Sequence, residues 1–577
     1  MAGDCENQRP KRVLVVGAGA AGMACADTLA QHPDRFHVTV VEAQSNCGGQ
    51  MFSIPIDQKE FGASWLNQGV QGGSHIYHHT FYVFEKLNHH PRPVDLQVSF
   101  GKGNTFWTNV YPTQLVARHS KEIERFSWVI KVMRWFELIF AMIPIKVSLK
   151  MFFFSDEFIN SMIYPRWAII FAHSRLRTTP LTVPNSLALF LGTGNATPNL
   201  PTVMMERLYT SPTYGMWYPI DRKMLTSNLP PMVVFPEATA VYTDWQHSLE
   251  NKGVSIRLNT QVKEVISRSK KDGVRVSIIR KRESNSSFPS EEGAKQPSND
   301  PLKEELLEET YDEIVFCVLA DTAKKLLGKQ ARWIEKQVLG ETKWSDDVTV
   351  THNDLDYMKR WYELEYNKEV AVSDLGGRDE SGRLEKAKEL FQPMYLIKQT
   401  PADQRKLEMS FDCSAFQYQL PKDVPLEKHI FQTIFLNKKH EETWSKHEIQ
   451  PDKIVAESWW HQLCHSYTHY LFVVPFLFFL NRVRSHRYHT RFAGSWTLVN
   501  AHEVAVISGI AAAYSLGADY PKELKEDHAP ILLVYGSFAT LYTILLIIFD
   551  TSDTPAPSMQ GTRISLAIPV KTNPSSI

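Results

Sequence analysis

A glycine-rich turn near the amino terminus limits the fold more than any other feature of the chain. The apolar, β-branched run at residues 13–16 predicts a buried strand, and the alanine-rich stretch that ends near residue 31 predicts a helix. Between them, Gly17, Gly19 and Gly22 form the pattern G-x-G-x-x-G. In such a pattern the first glycine permits a tight turn, the second admits a pyrophosphate, and the third lets the helix pack on the strand. The sequence therefore predicts an α/β domain with a Rossmann-like dinucleotide-binding turn.

An acidic residue ends the next predicted strand. Residues 37–41 are mostly β-branched and lead to Glu42, which lies 20 residues after Gly22. A carboxylate at this position can accept hydrogen bonds from a ribose, while the pyrophosphate lies against the amino terminus of the helix. Strand, turn, helix, second strand and acid follow in the order that the motif requires. This order favours dinucleotide binding over a purely structural glycine turn.

A second glycine pair distinguishes FAD from NAD. Gly48 and Gly49 follow Glu42 after five residues, and this pattern resembles the FAD-binding start of the amine oxidase, phytoene desaturase and protoporphyrinogen oxidase superfamily. In that superfamily the pair passes beside the ribityl chain and the diphosphate. Many members have arginine next, where this chain has Gln50, and the sequence has no second G-x-G-x-x-G for NAD(P)H. The resemblance implies that the chain binds FAD.

Two later segments resemble further parts of the same superfamily. Residues 254–282 predict antiparallel strands with a turn at residues 272–273, and the resemblance places the backbone of Val262 against the adenine. In residues 491–521 it places a turn at the ribityl phosphate and aims the positive end of the following helix at the flavin. Motif and resemblance together assign cofactor binding to Gly17, Gly19, Ala20, Ala21, Gly22, Glu42, Ala43, Gly48, Gly49, Gln50, Val262, Gly494, Ser495 and Glu503.

The resemblance also implies the architecture. We expect a Rossmann-like FAD-binding domain of the amine oxidase-like, glutathione-reductase-2 type, interleaved with an α+β substrate domain. A chain of 577 residues exceeds what a single core usually holds, so several units are expected. The FAD-binding parts are expected at residues 1–60, 236–330 and 486–525, and the substrate parts at residues 61–235 and 331–485.

Four segments differ in composition from these units. The polar, acidic stretch at residues 283–309 predicts a mobile insertion, and the Pro- and Ser-rich tail at residues 551–577 predicts disorder. Residues 529–549, within the segment 526–550, carry no charge and are long enough for a transmembrane helix, although a helix packed on the flavin domain is the alternative. The apolar stretch at residues 133–154 is interrupted by charges and suits a core helix pair or an interfacial segment. Membrane association is expected through residues 529–549.

Composition excludes several other classes. The 63 Lys and Arg residues balance the 63 Asp and Glu residues, which argues against nucleic acid as a partner. The six cysteines form no C-x-x-C pair, so neither a zinc site nor a disulfide framework is predicted. A signature for covalent flavin attachment is also missing, so the FAD is predicted to be noncovalent. The dinucleotide strand begins too near the polar start for a cleaved signal peptide, which predicts an intracellular location.

Three histidines recur at intervals of four residues. His461, His465 and His469 would share one face if this stretch were helical. Imidazoles at this spacing can chelate a metal, but carboxylates at matching offsets are absent, so no metal site is predicted. His461 and His465 are therefore the candidate catalytic proton donors or acceptors, with Trp460 lining the pocket. Histidines that only satisfy buried hydrogen bonds are the alternative.

A finer resemblance bears on the substrate. Residues 348–367 contain the pattern H-x-D-x-x-x-M and resemble a fungal-type branch of FAD/NAD-binding proteins, which is related in plan to bacterial polyenoic fatty acid isomerases. The resemblance implies an FAD-dependent oxidoreductase that transfers hydride from a lipophilic substrate to flavin, with dioxygen or a membrane electron carrier as the acceptor. Two alternatives stay open. One is a redox-neutral double-bond isomerase of a fatty acid or isoprenoid, and the other is a noncatalytic, membrane-attached flavoprotein.

Overall fold

The architecture was analysed in a computed structural model. It describes residues 9–74, 77–164, 202, 229, 231–269, 271–281, 304–372, 389–400, 403–483 and 488–524. The strands are β1 (Lys11–Val16), β2 (Phe36–Val41), β3 (Met51–Pro55), β4 (Trp65–Gly69), β5 (Gly72–Ser74), β6 (Arg92–Asp95), β7 (Val98–Phe100), β8 (Trp107–Thr108), β9 (Pro231–Val234), β10 (Ser255–Arg257), β11 (Thr260–Ser269), β12 (Gly273–Lys281), β13 (Glu304–Tyr311), β14 (Glu313–Phe316), β15 (Lys343–His352), β16 (Tyr395–Thr400), β17 (Asp403–Asp412), β18 (Phe431–Phe435), β19 (Ile454–Cys464) and β20 (Thr490–Phe492).

Helices connect these strands and cover them. The α-helices are α1 (Ala20–Ala30), α2 (Gln58–Phe61), α3 (His78–Lys86), α4 (Gln114–Arg118), α5 (Ser120–Trp135), α6 (Glu137–Ala141), α7 (Ile145–Met151), α8 (Asp156–Phe158), α9 (Ala238–Asn251), α10 (Ala320–Leu327), α11 (Trp333–Glu341), α12 (Leu355–Trp361), α13 (Cys413–Phe416), α14 (Val474–Phe478) and α15 (His502–Leu516).

Five parallel strands form the dinucleotide-binding sheet, in the order β10-β2-β1-β14-β20. In β1, Val13 and Val15 face one hydrophobic core, whereas Leu14 and Val16 face another. A strand buried on both faces is apolar throughout, which explains the unbroken valine and leucine run in the sequence. The predicted α/β class, with strand, glycine turn, helix and second strand in order, is confirmed.

A three-stranded antiparallel sheet, β11-β12-β13, packs beside this layer. The predicted turn at residues 272–273 is present, and Gly273 has the positive φ (72°) that such a turn requires. The prediction of a mobile insertion over residues 283–309 is wrong for its last six residues. These belong to β13, where Leu307 pairs with Ile278 of β12. Sheet pairing therefore overrides a local composition that is unfavourable for order, and residues 282–303 lie outside the described part of the chain.

A seven-stranded sheet, β19-β15-β18-β17-β16-β7-β8, forms the other large layer. Its strands come from both segments that the sequence assigned to the substrate domain, residues 61–235 and 331–485. The stretch at residues 133–154 forms the end of α5, α6 and α7 beside it, with one side buried and the other exposed. Among the described residues, no helix is both long and apolar enough to cross a membrane. Residues 529–549 and the tail at 551–577 lie outside that part of the chain.

Candidate functional site

A cavity of about 440 Å³ lies at the carboxyl end of the parallel sheet, where this sheet faces the seven-stranded layer. Crevices at the carboxyl ends of parallel strands are the usual ligand sites of such sheets. The structure brings together at this cavity most of the residues that the sequence singled out. Those that line it are Gly17, Gly19, Ala20, Ala21, Glu42, Gly48, Gly49, Gln50, Trp460, His465, Gly494 and Ser495.

The three glycines of the first motif do different work. Gly17 has a φ of 100°, and a Cβ there would lie 2.8 Å from the carbonyl oxygen of Cys317. A Cβ on Gly22 would lie 1.8 Å from the oxygen of Gly17, so the turn itself excludes a side chain. A Cβ on Gly19, in contrast, would meet only Cα of Gly49, at 3.8 Å. The protein itself requires the first and third glycines, whereas the second faces a narrow open cleft.

Two helices begin at the cavity without a side-chain cap. The residue that precedes α1 is Gly19 and the one that precedes α15 is Ala501, and neither has a side-chain acceptor that could cap its helix. The first turn of each helix carries backbone N–H groups that have no partner within the helix, together with the positive end of the helix dipole. Ala20 and Ala21 of α1 and His502 of α15 line the cavity. The site is thus built to stabilise negative charge at two places, which fits the diphosphate and the reduced ring of FAD.

Glu42 lies at the end of β2, where the sequence placed a ribose acceptor. One carboxylate oxygen accepts a hydrogen bond from the N–H of Ala18 (2.7 Å), and the other accepts from the N–H of Gln44 (2.9 Å). Each oxygen retains further acceptor capacity. The backbone therefore fixes an acidic acceptor at the rim of the cavity, close to the glycine turn. Ala43, the next residue, is exposed and does not line the cavity.

The side chains of Glu503 and Val262 are not among those that line the cavity. The buried carboxylate of Glu503 accepts hydrogen bonds from the N–H groups of His79 and Thr80 at the start of α3, and pairs with His79 Nδ1 at 2.7 Å. Burial alone would raise the pKa of Glu503, but His79 and the two N–H donors outweigh it and lower the pKa. The side chain of Val262 is 2% exposed and packs in the core between the parallel sheet and the three-stranded sheet, and the contact of its backbone with adenine stays a prediction. Neither side chain lines the cavity, because each is used to join elements of the fold.

The three histidines do not share one helical face, because this stretch begins as a strand. His461 lies in the strand β19, which pairs with β15, and the following helical segment begins only at Tyr467. The side chain of His461 points away from the cavity and bridges Asp346 (2.6 Å) and Asp321 (3.1 Å) at the surface. Partial burial opposes charging, but the two carboxylates outweigh it and raise the pKa of His461. Long-range pairing with β15 determines the conformation of this stretch, and the local spacing of the histidines does not predict that conformation.

His465 is the histidine that does face the cavity. Its side chain is 1% exposed, and Nδ1 lies 2.7 Å from the hydroxyl of Tyr470. Nε2 is buried and has no hydrogen-bond partner within the described structure. Burial, together with His469, lowers the pKa of His465 to about 3, so the ring is neutral at pH 7. A buried polar atom without a partner is costly, so Nε2 is open to a hydrogen bond with a bound molecule or a water.

Polar residues of β15 also face the cavity and were missed by the sequence reasoning. Ser345, Asp347 and Thr349 alternate along the strand, and all three line the cavity. Thr349 accepts a hydrogen bond from Nε1 of Trp460 (2.9 Å), which fixes that ring in the wall. Burial raises the pKa of Asp347. The signal for these residues was their period of two, which places alternate side chains on one face of a strand.

The same seven-stranded sheet also supplies apolar side chains to the cavity. These are Tyr395, Met409, Phe411 and Ile434, together with Leu436 just after β18. The described part of the chain contains no group of three or more His, Cys, Asp or Glu side chains placed to hold a metal ion. The cavity therefore combines a polar, anion-binding end with an apolar end.

Comparisons with known proteins agree with this geometry. Residues 15–88 match the family model of the NAD(P)-binding Rossmann-like domain. A stretch of 66 residues, 11% of this chain, is 41% identical to the peroxisomal N(1)-acetyl-spermine/spermidine oxidase of Bos taurus, and spans 13% of that enzyme's length.

Solved structures extend the similarity over most of the chain. Wild-type putrescine oxidase bound to putrescine is 11% identical, with 88% of this chain and 99% of that chain covered and a TM-score of 0.51. The fatty acid isomerase from P. acnes that produces CLA is 13% identical, with 90% and 100% covered and a TM-score of 0.50. At these identities the likeness concerns the fold. Residues 15–88 therefore match a Rossmann-like domain, and the chain shares its fold with putrescine oxidase and with this fatty acid isomerase.

Proposed function

We propose that this protein is an FAD-dependent oxidoreductase that transfers hydride from a lipophilic substrate to noncovalently bound flavin. The observation that carries the proposal is the cavity itself. Two uncapped helix starts and Glu42 form its polar end, and aromatic and aliphatic side chains form the other. A dinucleotide and an apolar substrate can meet there without bulk water between them.

The chain has groups that could bind each part of the cofactor. The cleft between Gly19 and Gly49 would admit the diphosphate, and the first N–H groups of α1 would bind it. Glu42 would accept hydrogen bonds from the ribose hydroxyls. The start of α15 would favour negative charge on the flavin ring. When bound, the flavin supplies the hydride acceptor.

The remaining residues act on the substrate. The apolar wall excludes water and orients a chain-like or ring-shaped hydrocarbon. His465 stays neutral near pH 7, so it can donate or accept one hydrogen bond at Nε2 toward a substrate atom, while the hydroxyl of Tyr470 can bond to Nδ1 in either tautomer. Since the described cavity holds no other histidine with a free ring nitrogen, His465 is the proposed proton-holding residue. Dioxygen or a membrane electron carrier is the proposed final acceptor.

A second activity fits the same cavity. A redox-neutral isomerase would return the hydride to another carbon of the substrate, and the fold likeness to a fatty acid isomerase favours this variant. The polar and apolar ends would serve it equally well. Product analysis separates the two, because an isomerase changes the position of a double bond without net consumption of an acceptor.

The test is anaerobic titration of the purified, detergent-extracted protein, first with lipid extracts and then with amines. Bleaching of the oxidised flavin band at about 450 nm would support the oxidoreductase. Conversion of a lipid without lasting bleaching would favour the isomerase, and a bound flavin that neither bleaches nor turns over a lipid would indicate a noncatalytic flavoprotein. A protein that binds no flavin would overturn the proposal. After acid precipitation, the yellow colour should remain in the supernatant.

A substitution of His465 tests its proposed role. His465→Phe should retain the flavin and lose about 10²-fold in the rate of flavin reduction, because it keeps the ring and removes Nε2. His461→Gln is the matched control, since that side chain lies outside the cavity, and it should reduce flavin at the normal rate. Equal rates in both variants would remove His465 from the reaction.

A further inference from the structure

The outer side of α5–α7 exposes large apolar side chains in an unusual number. Trp135 is 75% exposed and Phe153 is 85% exposed. We call this surface the α5–α7 face. The apolar side chains that it exposes are Trp128, Trp135, Phe136, Ile139, Met142, Val147, Met151 and Phe153.

The face has a helical period. In α5, Trp128, Lys131 and Trp135 are exposed at intervals of three and four residues, whereas Phe126 and Met133 are buried against the core. The inner side of α5 is therefore apolar, as in other amphipathic helices. Its outer side is not purely polar, because it carries tryptophans as well as cations.

The end of α7 continues the same surface. Lys146, Val147, Lys150 and Met151 are exposed on one side of this helix. The guanidinium of Arg125 donates a hydrogen bond to the carbonyl oxygen of Phe153 (2.9 Å), which ties the end of α7 to the middle of α5. The two helices therefore present their cations and apolar side chains side by side.

We propose that the α5–α7 face docks on the surface of an anionic phospholipid bilayer. Tryptophan, phenylalanine and long cationic side chains are the residues that enter the interface between headgroups and acyl chains. Residues 120–153 expose six Lys or Arg, and Glu124 is the one acidic side chain that is exposed among those described in this range, although Lys150 pairs with Asp156 just beyond α7. A contact between two copies of the chain would favour few lysines, so the charge of the face selects lipid as the occupant.

The test is co-sedimentation of the full chain with phosphatidylcholine vesicles, with and without phosphatidylserine. The protein should bind the anionic vesicles more tightly, and added salt should weaken this binding. Each cation near an anionic surface contributes about a fivefold gain in affinity, so Lys131→Glu with Arg134→Glu should weaken binding by at least about 25-fold. Trp135→Ser with Phe153→Ser should lower binding to both vesicle types. Circular dichroism checks that the variants fold.

The matched control changes the same residue types on another helix. Trp333 and Lys336 of α11 are both exposed, so Trp333→Ser with Lys336→Glu should bind vesicles like the unaltered protein. The proposal fails if the unaltered protein does not sediment with anionic vesicles, or if both face variants bind as it does. The latter result would assign attachment to another segment, such as residues 529–549. The proposal also fails if the face variants convert a dimer to a monomer without changing vesicle binding. These readouts do not depend on flavin or turnover.

Discussion

At the scale of single residues, the glycines of the G-x-G-x-x-G motif meet two different requirements, one of folding and one of ligand binding. The sequence pattern alone does not distinguish them. Gly17 and Gly22 are needed because a Cβ at either position would collide with the backbone of the turn or of its neighbour. Gly19 has an ordinary extended conformation and space beside it, so folding does not require a glycine there. What Gly19 preserves is the cleft that faces Gly49, and a ligand is the reason to preserve it.

The first prediction uses this difference. Gly19→Val should fold normally but bind no FAD, because the side chain fills the cleft proposed for the diphosphate. Gly22→Ala should lose both structure and flavin, since its Cβ would lie 1.8 Å from the oxygen of Gly17. Circular dichroism and flavin absorbance measure the two properties separately. A Gly19→Val protein with a full complement of flavin would contradict the assignment of the cleft.

At the scale of elements, α15 is held in place by its contact with α1. A Cβ on Gly509 of α15 would lie 2.1 Å from the oxygen of Ala21 and 3.0 Å from the nitrogen of Cys25, so the two helix backbones touch. The presence of a glycine inside this helix is thus explained by a neighbouring helix. Glu503 adds a second tie, to the start of α3. Both contacts fix the direction in which α15 faces the cavity.

The second prediction concerns this helix contact. Gly509→Ala should destabilise the protein by about 1–3 kcal/mol and weaken flavin binding, because the helices must move apart. Gly340→Ala in α11 is the control, where the new Cβ would meet only the flexible end of Lys324. That substitution should be neutral or stabilise the protein by up to about 1 kcal/mol, as alanine favours a helix. Chemical denaturation of both variants compares the two, and equal stabilities would show that the α1–α15 contact tolerates a methyl group.

At the scale of the whole molecule, the interior contains several neutral histidines. Burial lowers the pKa of His352, His469 and His502 to about 4, and that of His465 to about 3. In the unfolded chain a histidine titrates near pH 6.5, so between about pH 6.5 and pH 4 the unfolded state binds more protons than the folded state. The free energy of unfolding must then fall as the pH falls. His429 and His461 have raised pKa values and act in the opposite direction, losing their contribution as the pH rises.

The third prediction follows from the four histidines whose pKa values are lowered by burial. The melting temperature should decrease steadily from pH 6.5 towards pH 4. His352→Gln should remove roughly a quarter of the histidine contribution to this decrease. His37→Gln changes an exposed histidine and should leave the pH dependence unaltered. A melting temperature that stays constant over this range would show that the buried histidines do not control acid stability.

The sequence by itself determined the α/β core and the dinucleotide turn, because turn geometry and buried strands depend on residues within a few positions of one another. It also indicated twelve of the residues that line the cavity. Only the tertiary structure decided that residues 454–464 form a strand, since their partner β15 lies more than a hundred residues earlier. The same long-range packing places the carboxylate of Glu503 at the start of α3, and it places His465 at the cavity but His461 outside it. It also leaves the α5–α7 face exposed. Contacts between distant segments determine which side chains share a surface, and local sequence patterns do not predict these contacts.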